Sequence, residues 1–348
     1  MISIHPNRRS FAAVTALSLG SLAVTALWAK SRPEKSRVSI AVTDKASFYS
    51  LPLTIAEQLG FFKVEGLDVV ISDFAGGDGA VQSALSGAAD VVSGSFDRII
   101  SQQIKGQKFQ AFVLQGRAPA IAMGIATKAL PNYRAVADLK GKRIGISELG
   151  APSHLVASLI LLRGGLSPGE VSFVPVGAAA GALLSWRSGQ IDALCNVDPV
   201  MTMLEQKSEI RLIADARTLK GAQEVFDGPM PASCLFASLD FVQKNPNTVQ
   251  ALTNAITHSL KWLQTAGPSD IIKVVPEAYL LGDRALYLAA FDKGREVISP
   301  DGLIAPEGPR TALKVLARID PGLKGRQIVL EQTYTNEFSR IAKERFKA

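Results

Sequence analysis

Hydrophobic positions in this chain form short runs that alternate with helical patterns, and the whole arrangement occurs twice. Apolar runs at residues 38–43 and 67–71 predict two strands separated by a helix. The runs at 143–147 and 171–176 predict a second pair of strands, again around a helix. Short strands that alternate with helices indicate parallel sheets joined by right-handed crossovers.

A repeated phrase follows each pair of predicted strands. Ser-Gly at 86–87 and Asp90 match Ser-Gly at 188–189 and Asp192 at one constant offset. Each copy predicts a helix that stops at glycine, which accepts the left-handed conformation at a helix end, and then an apolar strand and a polar loop. We therefore expect two similar α/β lobes, with a ligand bound in the cleft between them at the carboxyl ends of their strands.

Length and composition are those of a globular protein with two domains. The chain has 348 residues, of which 47% are hydrophobic and 20% are charged. The formal charge of +7 comes from Lys and Arg residues scattered along the chain, which is typical of a solvated surface. Neither a basic cluster nor a recognition motif is present, so we expect no nucleic-acid partner.

The start of the chain predicts an export signal at residues 1–30. Arg8-Arg9-Ser10-Phe11 leads into an uncharged run at 11–29, and a basic start followed by an apolar stretch is typical of secretory signals. The Arg-Arg-x-Phe sequence also resembles the twin-arginine signal. The general secretory route and a retained N-terminal anchor are the alternatives. We expect the mature protein to be exported.

Cysteine chemistry is not expected to define this protein. Cys195 and Cys234 are the only cysteines, and they could either form a disulfide in an oxidising compartment or serve as small core residues. Neither has a second Cys or His at the spacing of metal ligands. We predict no metal site and no cofactor.

Several landmarks resemble a known family of binding proteins. Residues 56–69 read Ala-Glu-x-x-Gly-Phe-Phe-x-x-x-Gly-Leu-x-Val, and residues 84–90, 138–146 and 189–193 carry further landmarks in the same order. This series resembles the nitrate/sulfonate/taurine solute-binding proteins of ABC importers, a group that includes binders of thiamine pyrimidine precursors. The resemblance implies the two-lobed periplasmic-binding-protein architecture of type II, an α/β fold with two Rossmann-like lobes, a hinge and an interlobe cleft.

That architecture implies two chain crossings between the lobes, which we expect at 120–127 and 230–238. Lobe one would then comprise 37–122 and 234–348, and lobe two 123–233. A stripe of apolar residues in a predicted helix at 247–264 reads as core, and the tail after residue 280 is expected to pack outside lobe one.

The loops at the strand ends carry the candidate binding residues. Gly77-Asp78 and Ser153 precede predicted helices, where backbone N–H groups can bind an anionic oxygen; plain turns with capping residues are the alternative. Three loop aromatics could enclose an organic ligand. The candidate ligand-binding residues are Asp44, Ser47, Phe48, Tyr49, Gly77, Asp78, Ser95, Phe96, Arg117, Glu148, Ser153, His154, Asn196 and Asp198.

Charged candidates decide what kind of ligand the cleft would bind. Arg117 is the favoured partner for a carboxylate or sulfonate, ahead of Arg98, Lys45 and His154. Asp198, Asp97 or Glu148 could hold an amine if the ligand is a zwitterion. The loop aromatics favour an organic anion or zwitterion over an inorganic one.

The leading interpretation is an exported substrate-binding protein of an ABC importer, located in the periplasm. Its expected partners are a small-molecule ligand and an inner-membrane ABC permease, and it is expected to be a monomer and not an enzyme. The alternatives are an enzyme of pyrimidine or quinone precursor biosynthesis on the same fold, and a ligand-sensing domain. The enzyme would need convergent acid, base or nucleophilic groups.

Overall fold

Two five-stranded sheets form the framework of the residues that the computed structural model describes, which are 32–74, 77–323 and 325–348. The predicted export signal at 1–30 lies outside them. The first sheet contains β1 (Arg37–Thr43), β2 (Asp68–Phe74), β3 (Val91–Ser95), β4 (Phe109–Leu114) and β10 (Ser233–Ser238). The second contains β5 (Ile121–Ile125), β6 (Arg143–Ile146), β7 (Ser172–Pro175), β8 (Ala193–Val197) and β9 (Arg211–Asp215).

The two sheets have the same topology. Their strand orders are β2-β1-β3-β10-β4 and β7-β6-β8-β5-β9. In each, the first three strands in this order are parallel, and the fourth runs antiparallel to both neighbours. The predicted duplication is therefore present, and we call each sheet with its helices a lobe.

Helices cover both sheets and extend the chain beyond them. The α-helices are α1 (Leu51–Gln58), α2 (Phe61–Val64), α3 (Gly77–Leu85), α4 (Asp97–Ile104), α5 (Pro152–Arg163), α6 (Ala180–Arg187), α7 (Val200–Gln206), α8 (Leu219–Phe226), α9 (Leu239–Lys244), α10 (Pro246–Thr265), α11 (Pro268–Val274), α12 (Arg284–Gly294), α13 (Glu307–Ile319) and α14 (Glu337–Phe346). Short 3₁₀ turns lie at Phe48–Ser50, Val136–Leu139, Pro168–Glu170, Glu277–Leu280, Arg295–Val297, Pro321–Leu323 and Leu330–Gln332. No helix in the described part of the chain combines the length and the apolarity that a membrane crossing requires.

A third segment, residues 297–299, runs beside the crossings between the lobes. The sequence did not predict it. The chain leaves the first sheet after β4 and returns in β10, and the backbone N–H of Gln115 donates to Ser233 O over 2.8 Å. On the other side, the backbone N–H of Arg117 donates to Val297 O over 2.8 Å, and that of Ser299 to Gln115 O over 2.9 Å. The proposed lobe boundaries at 122/123 and 233/234 fall inside β5 and β10, one or two residues after these strands begin.

The C-terminal tail packs outside lobe one as expected where α14 lies on α10 and β4, but its other helices also contact the second lobe. Helix α13 packs against α4 of the first lobe and α5 of the second, and α12 packs against α7 of the second lobe. Lys293 of α12 also forms a 2.8 Å ion pair with Glu205 of α7.

The remaining core predictions are confirmed. The apolar stripe of α10, from Val249 to Leu263, is buried. Cys195 and Cys234 are both buried and unpaired, so they are small core residues rather than a disulfide.

Candidate functional site

The candidate site is a small cavity between the two lobes, at the carboxyl ends of their strands. Its volume is about 20 Å³, room for roughly one water molecule, so the two lobes are closed on each other. The lining residues are Thr43, Asp44, Ser47, Tyr49, Gly77, Ser95, Arg98, Ile121, Ser147, Pro152, Ser153 and Val197.

Arg98 is the cation of this cavity. It lies in the first turn of α4, directly after β3, and its guanidinium forms a 2.5 Å ion pair with Asp78. The same guanidinium donates to Gly150 O of the second lobe. Its Nε is buried and has no hydrogen-bond partner among the described residues. A buried N–H without a partner is rare in proteins, so the side chain has one unused donor beside the cavity.

Two glycines allow the guanidinium to lie where it does. A Cβ atom on Gly77 would lie 3.0 Å from Arg98 Nε, and one on Gly150 would lie 3.0 Å from Arg98 Nη2. Gly150 also has a φ of +75°, a conformation that side chains other than glycine rarely adopt. The glycine-rich segment before α3 and the loop before α5 therefore have one role in common, which is to leave room for Arg98.

Hydroxyl groups from both lobes surround the cation. Thr43, the last residue of β1, is buried, and its Oγ1 has no partner in the part of the chain that the structure describes. Ser147 and Ser153 in the second lobe lie 2.8 Å apart, Oγ to Oγ, and Ser47 Oγ donates to Asp44 O over 2.8 Å. A hydroxyl can either donate or accept, so this lining can bind an oxyanion or a polar neutral group.

Asp44 gives the cavity a carboxyl group that titrates near neutral pH. Burial, followed by the charges of Asp73 and Glu148, raises its pKa from 3.8 to about 6. Asp44 also has a φ of +53°, in the left-handed region that few residues other than glycine enter. Below pH 6 this carboxyl is neutral, and a negative ligand is then not repelled by it.

Part of the predicted set lies in or beside the cavity. Asp44, Ser47, Tyr49, Gly77, Ser95 and Ser153 line it. Asp78 and Glu148 act through their charges, on Arg98 and Asp44 respectively. His154 Nδ1 accepts a hydrogen bond from the N–H of Gly150 over 3.0 Å, and burial and Arg98 lower the pKa of His154, which keeps its acceptor nitrogen unprotonated.

The two aromatics Phe48 and Phe96 are core residues instead. Phe48 packs edge-to-face on Tyr287, with 4.8 Å between the ring centroids, and it belongs to the core beneath α12. Phe96 is fully buried under α4. In this structure the two side chains bury apolar area and do not line the cavity, so their expected contact with a ligand stays a prediction.

Asn196 and Asp198 also have structural roles. Asn196 Nδ2 donates to Gly177 O over 2.9 Å and holds the neighbouring loop. Asp198 Oδ1 accepts from the N–H of Thr202 over 2.8 Å and pairs with the fully buried Arg217. Neither residue lines the cavity between the lobes.

Arg117, the favoured cation, lies elsewhere. Its Nε donates to Glu296 O over 2.8 Å, because the 3₁₀ turn Arg295–Val297 runs beside the first crossing. It lines a different cavity, and Arg98 takes the place that the sequence suggested for it.

The residues missed by sequence reasoning are short hydroxyl and apolar side chains at strand ends. Thr43 ends β1, and Ser147 directly follows β6, so the two positions correspond in the duplicated lobes. Their matching positions in the two predicted lobes could have been recognised in the sequence. Ile121, Pro152 and Val197 complete the lining. The described residues contain no group of three or more His, Cys, Asp or Glu side chains that could hold a metal ion.

A comparison with protein-family models matches residues 47–268 to the family described as NMT1/THI5 like. The chain belongs to the NMT1/THI5-like family. The matched segment is more than half of the chain, and it contains every cavity-lining residue except Thr43 and Asp44.

Individual proteins resemble this NMT1/THI5-like chain over most of its length. A solved structure from Bordetella bronchiseptica RB50 is 51% identical, with a TM-score of 0.88, and the match covers 91% of this chain and 100% of that one. The alkanesulfonate-binding protein SsuA from Xanthomonas axonopodis pv. citri, solved with MOPS, is 18% identical, with a TM-score of 0.66 and coverage of 87% and 99%. YtlA of Bacillus subtilis (strain 168), provisionally described as a binding protein, is 23% identical over 272 residues, 77% of this chain and 79% of YtlA.

The family match confirms the resemblance on which the expected architecture rests. The likeness to SsuA, at low identity, confirms the fold alone: two α/β lobes of a binding protein around a cleft. SsuA and YtlA are each described as binding proteins.

Proposed function

We propose that this NMT1/THI5-like chain is an exported solute-binding protein of an ABC importer, and that it captures a small organic anion or zwitterion in the interlobe cleft. The observation that carries the proposal is Arg98, whose buried Nε lacks a partner among the described residues at the edge of the cavity. A carboxylate or sulfonate oxygen would supply that missing acceptor through a charge-assisted hydrogen bond.

The surroundings of Arg98 favour an oxyanion over a neutral ligand. The Thr43 hydroxyl is a second buried group without a partner in the described chain, and it lines the same cavity. Ser147 and Ser153 add hydroxyls from the opposite lobe. Protonation of Asp44, whose pKa is raised to about 6, would remove the nearest negative charge. An amine on the ligand would instead favour ionised Asp44, as in a zwitterion.

Closure of the lobes is the proposed mechanism of capture. The Arg98 guanidinium contacts Gly150 O in the opposite lobe and lines the cavity at the same time. A ligand that binds the guanidinium between the lobes would contact both of them, so its binding would favour closure of the lobes around it. The cavity of about 20 Å³ has room for roughly one water molecule, so the lobes must stand farther apart than in this structure both to admit and to hold the solute.

The remaining assignments follow from this role. The export signal expected at 1–30 would direct the protein to the periplasm, and the partner would be an inner-membrane permease that receives the solute. SsuA, which binds alkanesulfonates, motivates sulfonates as the first ligands to test. We assign the cleft a binding role rather than a catalytic one, and we propose that the protein is a monomer.

The test is calorimetric titration of the purified protein with ethanesulfonate, taurine and nitrate. Replacing Arg98 by Gln should weaken the best ligand at least about tenfold, since a charge-assisted contact is worth roughly 1.5–3 kcal/mol. The matched control is Arg37→Gln, which removes an equal charge at an 80% exposed side chain of the first lobe and should leave affinity within about twofold.

Equal affinity of the Arg98→Gln variant and the wild type for every bound anion would remove Arg98 from the site. Chemical conversion of a bound ligand, detected by mass spectrometry after incubation, would contradict the binding role and restore the enzyme alternative.

A further inference from the structure

A second and much larger cavity lies where the two crossings meet the C-terminal tail. Its volume is about 590 Å³, within the range of about 300–1,000 Å³ that is usual for small-molecule sites. Its lining shares no residue with that of the interlobe cleft in the described chain. The cleft is the proposed site of solute capture because it lies at the strand ends and is lined by polar atoms without partners among the described residues. The second cavity is separate from it.

The walls of the second cavity are mostly apolar and come from both lobes. Helix α8 of the second lobe contributes Leu219 and Ala222, and Met230 comes from the second crossing. Leu114 of the first lobe and Leu303 and Ile304 of the tail form the facing wall. An apolar body placed here would contact both lobes at once.

The polar groups of the cavity carry net positive charge. Arg340 of α14 and Arg117 both line it. The guanidinium of Arg340 has no hydrogen bond or ion pair with any described residue, whereas Arg117 uses only its Nε, on Glu296 O. The acid in the lining, Asp301, is already neutralised by a 2.7 Å ion pair with Lys343. Two guanidinium groups therefore remain available for a ligand.

We propose that this cavity is a second ligand site, for an organic anion with an apolar body, such as a medium-chain carboxylate or an aromatic sulfonate. The apolar body fills the space between α8 and the tail, and the anionic group pairs with Arg340 and Arg117. The walls belong to both lobes and to the crossings, so an occupant of the cavity would contact all of these segments.

The probe for the test is 8-anilinonaphthalene-1-sulfonate, which combines an aromatic body with a sulfonate and fluoresces when bound in an apolar site. Its affinity for the purified protein is measured by fluorescence titration, with octanoate as the competitor. Arg340→Gln should weaken the probe about fivefold or more, because a charge-assisted contact is lost, and Arg340→Lys should restore most of that loss. Ala305→Trp, at an exposed lining position, should block the cavity without disturbing the core.

Two controls separate this site from the rest of the protein. Arg37→Gln removes one exposed charge outside the cavity, and Arg98→Gln alters the cleft; the proposal expects the wild-type affinity for the probe in both. Probe binding that survives both Arg340→Gln and Ala305→Trp would overturn the proposal, and so would probe binding that is lost in Arg98→Gln. Neither outcome depends on whether the cleft binds the importer's solute.

Discussion

The two copies of the repeated phrase have the same backbone course, but their charged residues serve different purposes. After β3 the chain continues into α4, where Arg98 lines the interlobe cavity. After β8 it continues into α7, where Val200 is fully buried and Asp198 pairs with the buried Arg217. In the first lobe the charged residue after the strand, Arg98, therefore lines the site. In the second lobe the charged residue after the strand, Asp198, forms a buried ion pair that stabilises the fold.

The duplicated scaffold of this protein does not carry a duplicated site. The sheets share one strand order with an antiparallel fourth strand, so each lobe presents its loops to the same cleft. The second lobe supplies hydroxyls and the Gly150 carbonyl, while the first supplies the cation. The two lobes therefore differ in their side chains rather than in their backbone. We expect substitutions in the two lobes to have different consequences.

The largest effect is expected from Arg217→Met in the second lobe. This substitution leaves Asp198 and Asp215 without the cation that they share, and removing one partner of a buried ion pair costs about 3–5 kcal/mol of stability. Urea unfolding measures the loss. The control is Arg187→Gln, at an exposed ion pair with Glu209, which should cost less than about 1 kcal/mol. Similar losses for both variants would show that Arg217 is not the stabilising centre of this lobe.

A smaller effect, on binding, is expected from Gly150→Ala. The new Cβ would lie 3.0 Å from Arg98 Nη2, so the guanidinium must move, and we expect the cleft ligand to bind at least about fivefold more weakly. Gly165→Ala is the matched control, since Gly165 has a φ of +78° and open space around its Cβ position. Both variants should lose about 1 kcal/mol of stability, but only Gly150→Ala should lose affinity in calorimetry. Equal affinity in the two variants would contradict the role of Gly150.

A third effect, which depends on pH, is expected from Asp44→Asn. The folded protein keeps a proton on Asp44 up to about pH 6, whereas a carboxyl at its ordinary value releases it near 3.8. Folding stability from this group is therefore lost as pH rises between these values. Replacement by Asn should raise stability by up to about 3 kcal/mol at pH 7, because the pKa is raised by roughly two units at about 1.4 kcal/mol each, and should leave it unchanged below about pH 3. Thermal unfolding at both pH values checks this; a constant difference between variant and wild type would argue against the raised pKa.

The duplicated part of the fold could be predicted from the sequence because local patterns determine it. Apolar runs and glycine stops located β1, β3, β6 and β8 within a few residues. The segment that runs from Val297 to Ser299 beside the first crossing was not predicted, because its pairing partner is remote in sequence. Long-range pairing leaves no periodic signal in either partner.

The site was predicted in part, and the structure places Arg98, not the favoured Arg117, in the lining of the interlobe cavity. Arg98 and Arg117 both follow apolar strands, so local sequence does not distinguish them. Their tertiary partners do, because Arg98 donates to Gly150 O and Arg117 donates to Glu296 O. Phe48 likewise looked like a pocket aromatic because its packing partner, Tyr287, lies in a distant helix. Residue type and position at a strand end suggested the site, but only the tertiary contacts separate lining from core.

The place of β10 in the first sheet has a consequence for how the chain is made. This strand lies between β3 and β4 and hydrogen-bonds to both, yet it is encoded after the whole second sheet. During synthesis, β1 to β4 therefore emerge from the ribosome before β10, the strand between β3 and β4, has been made. Until residues 233–238 have emerged, the first sheet lacks the strand between β3 and β4, so a chaperone or an export factor can still bind it in an incomplete state.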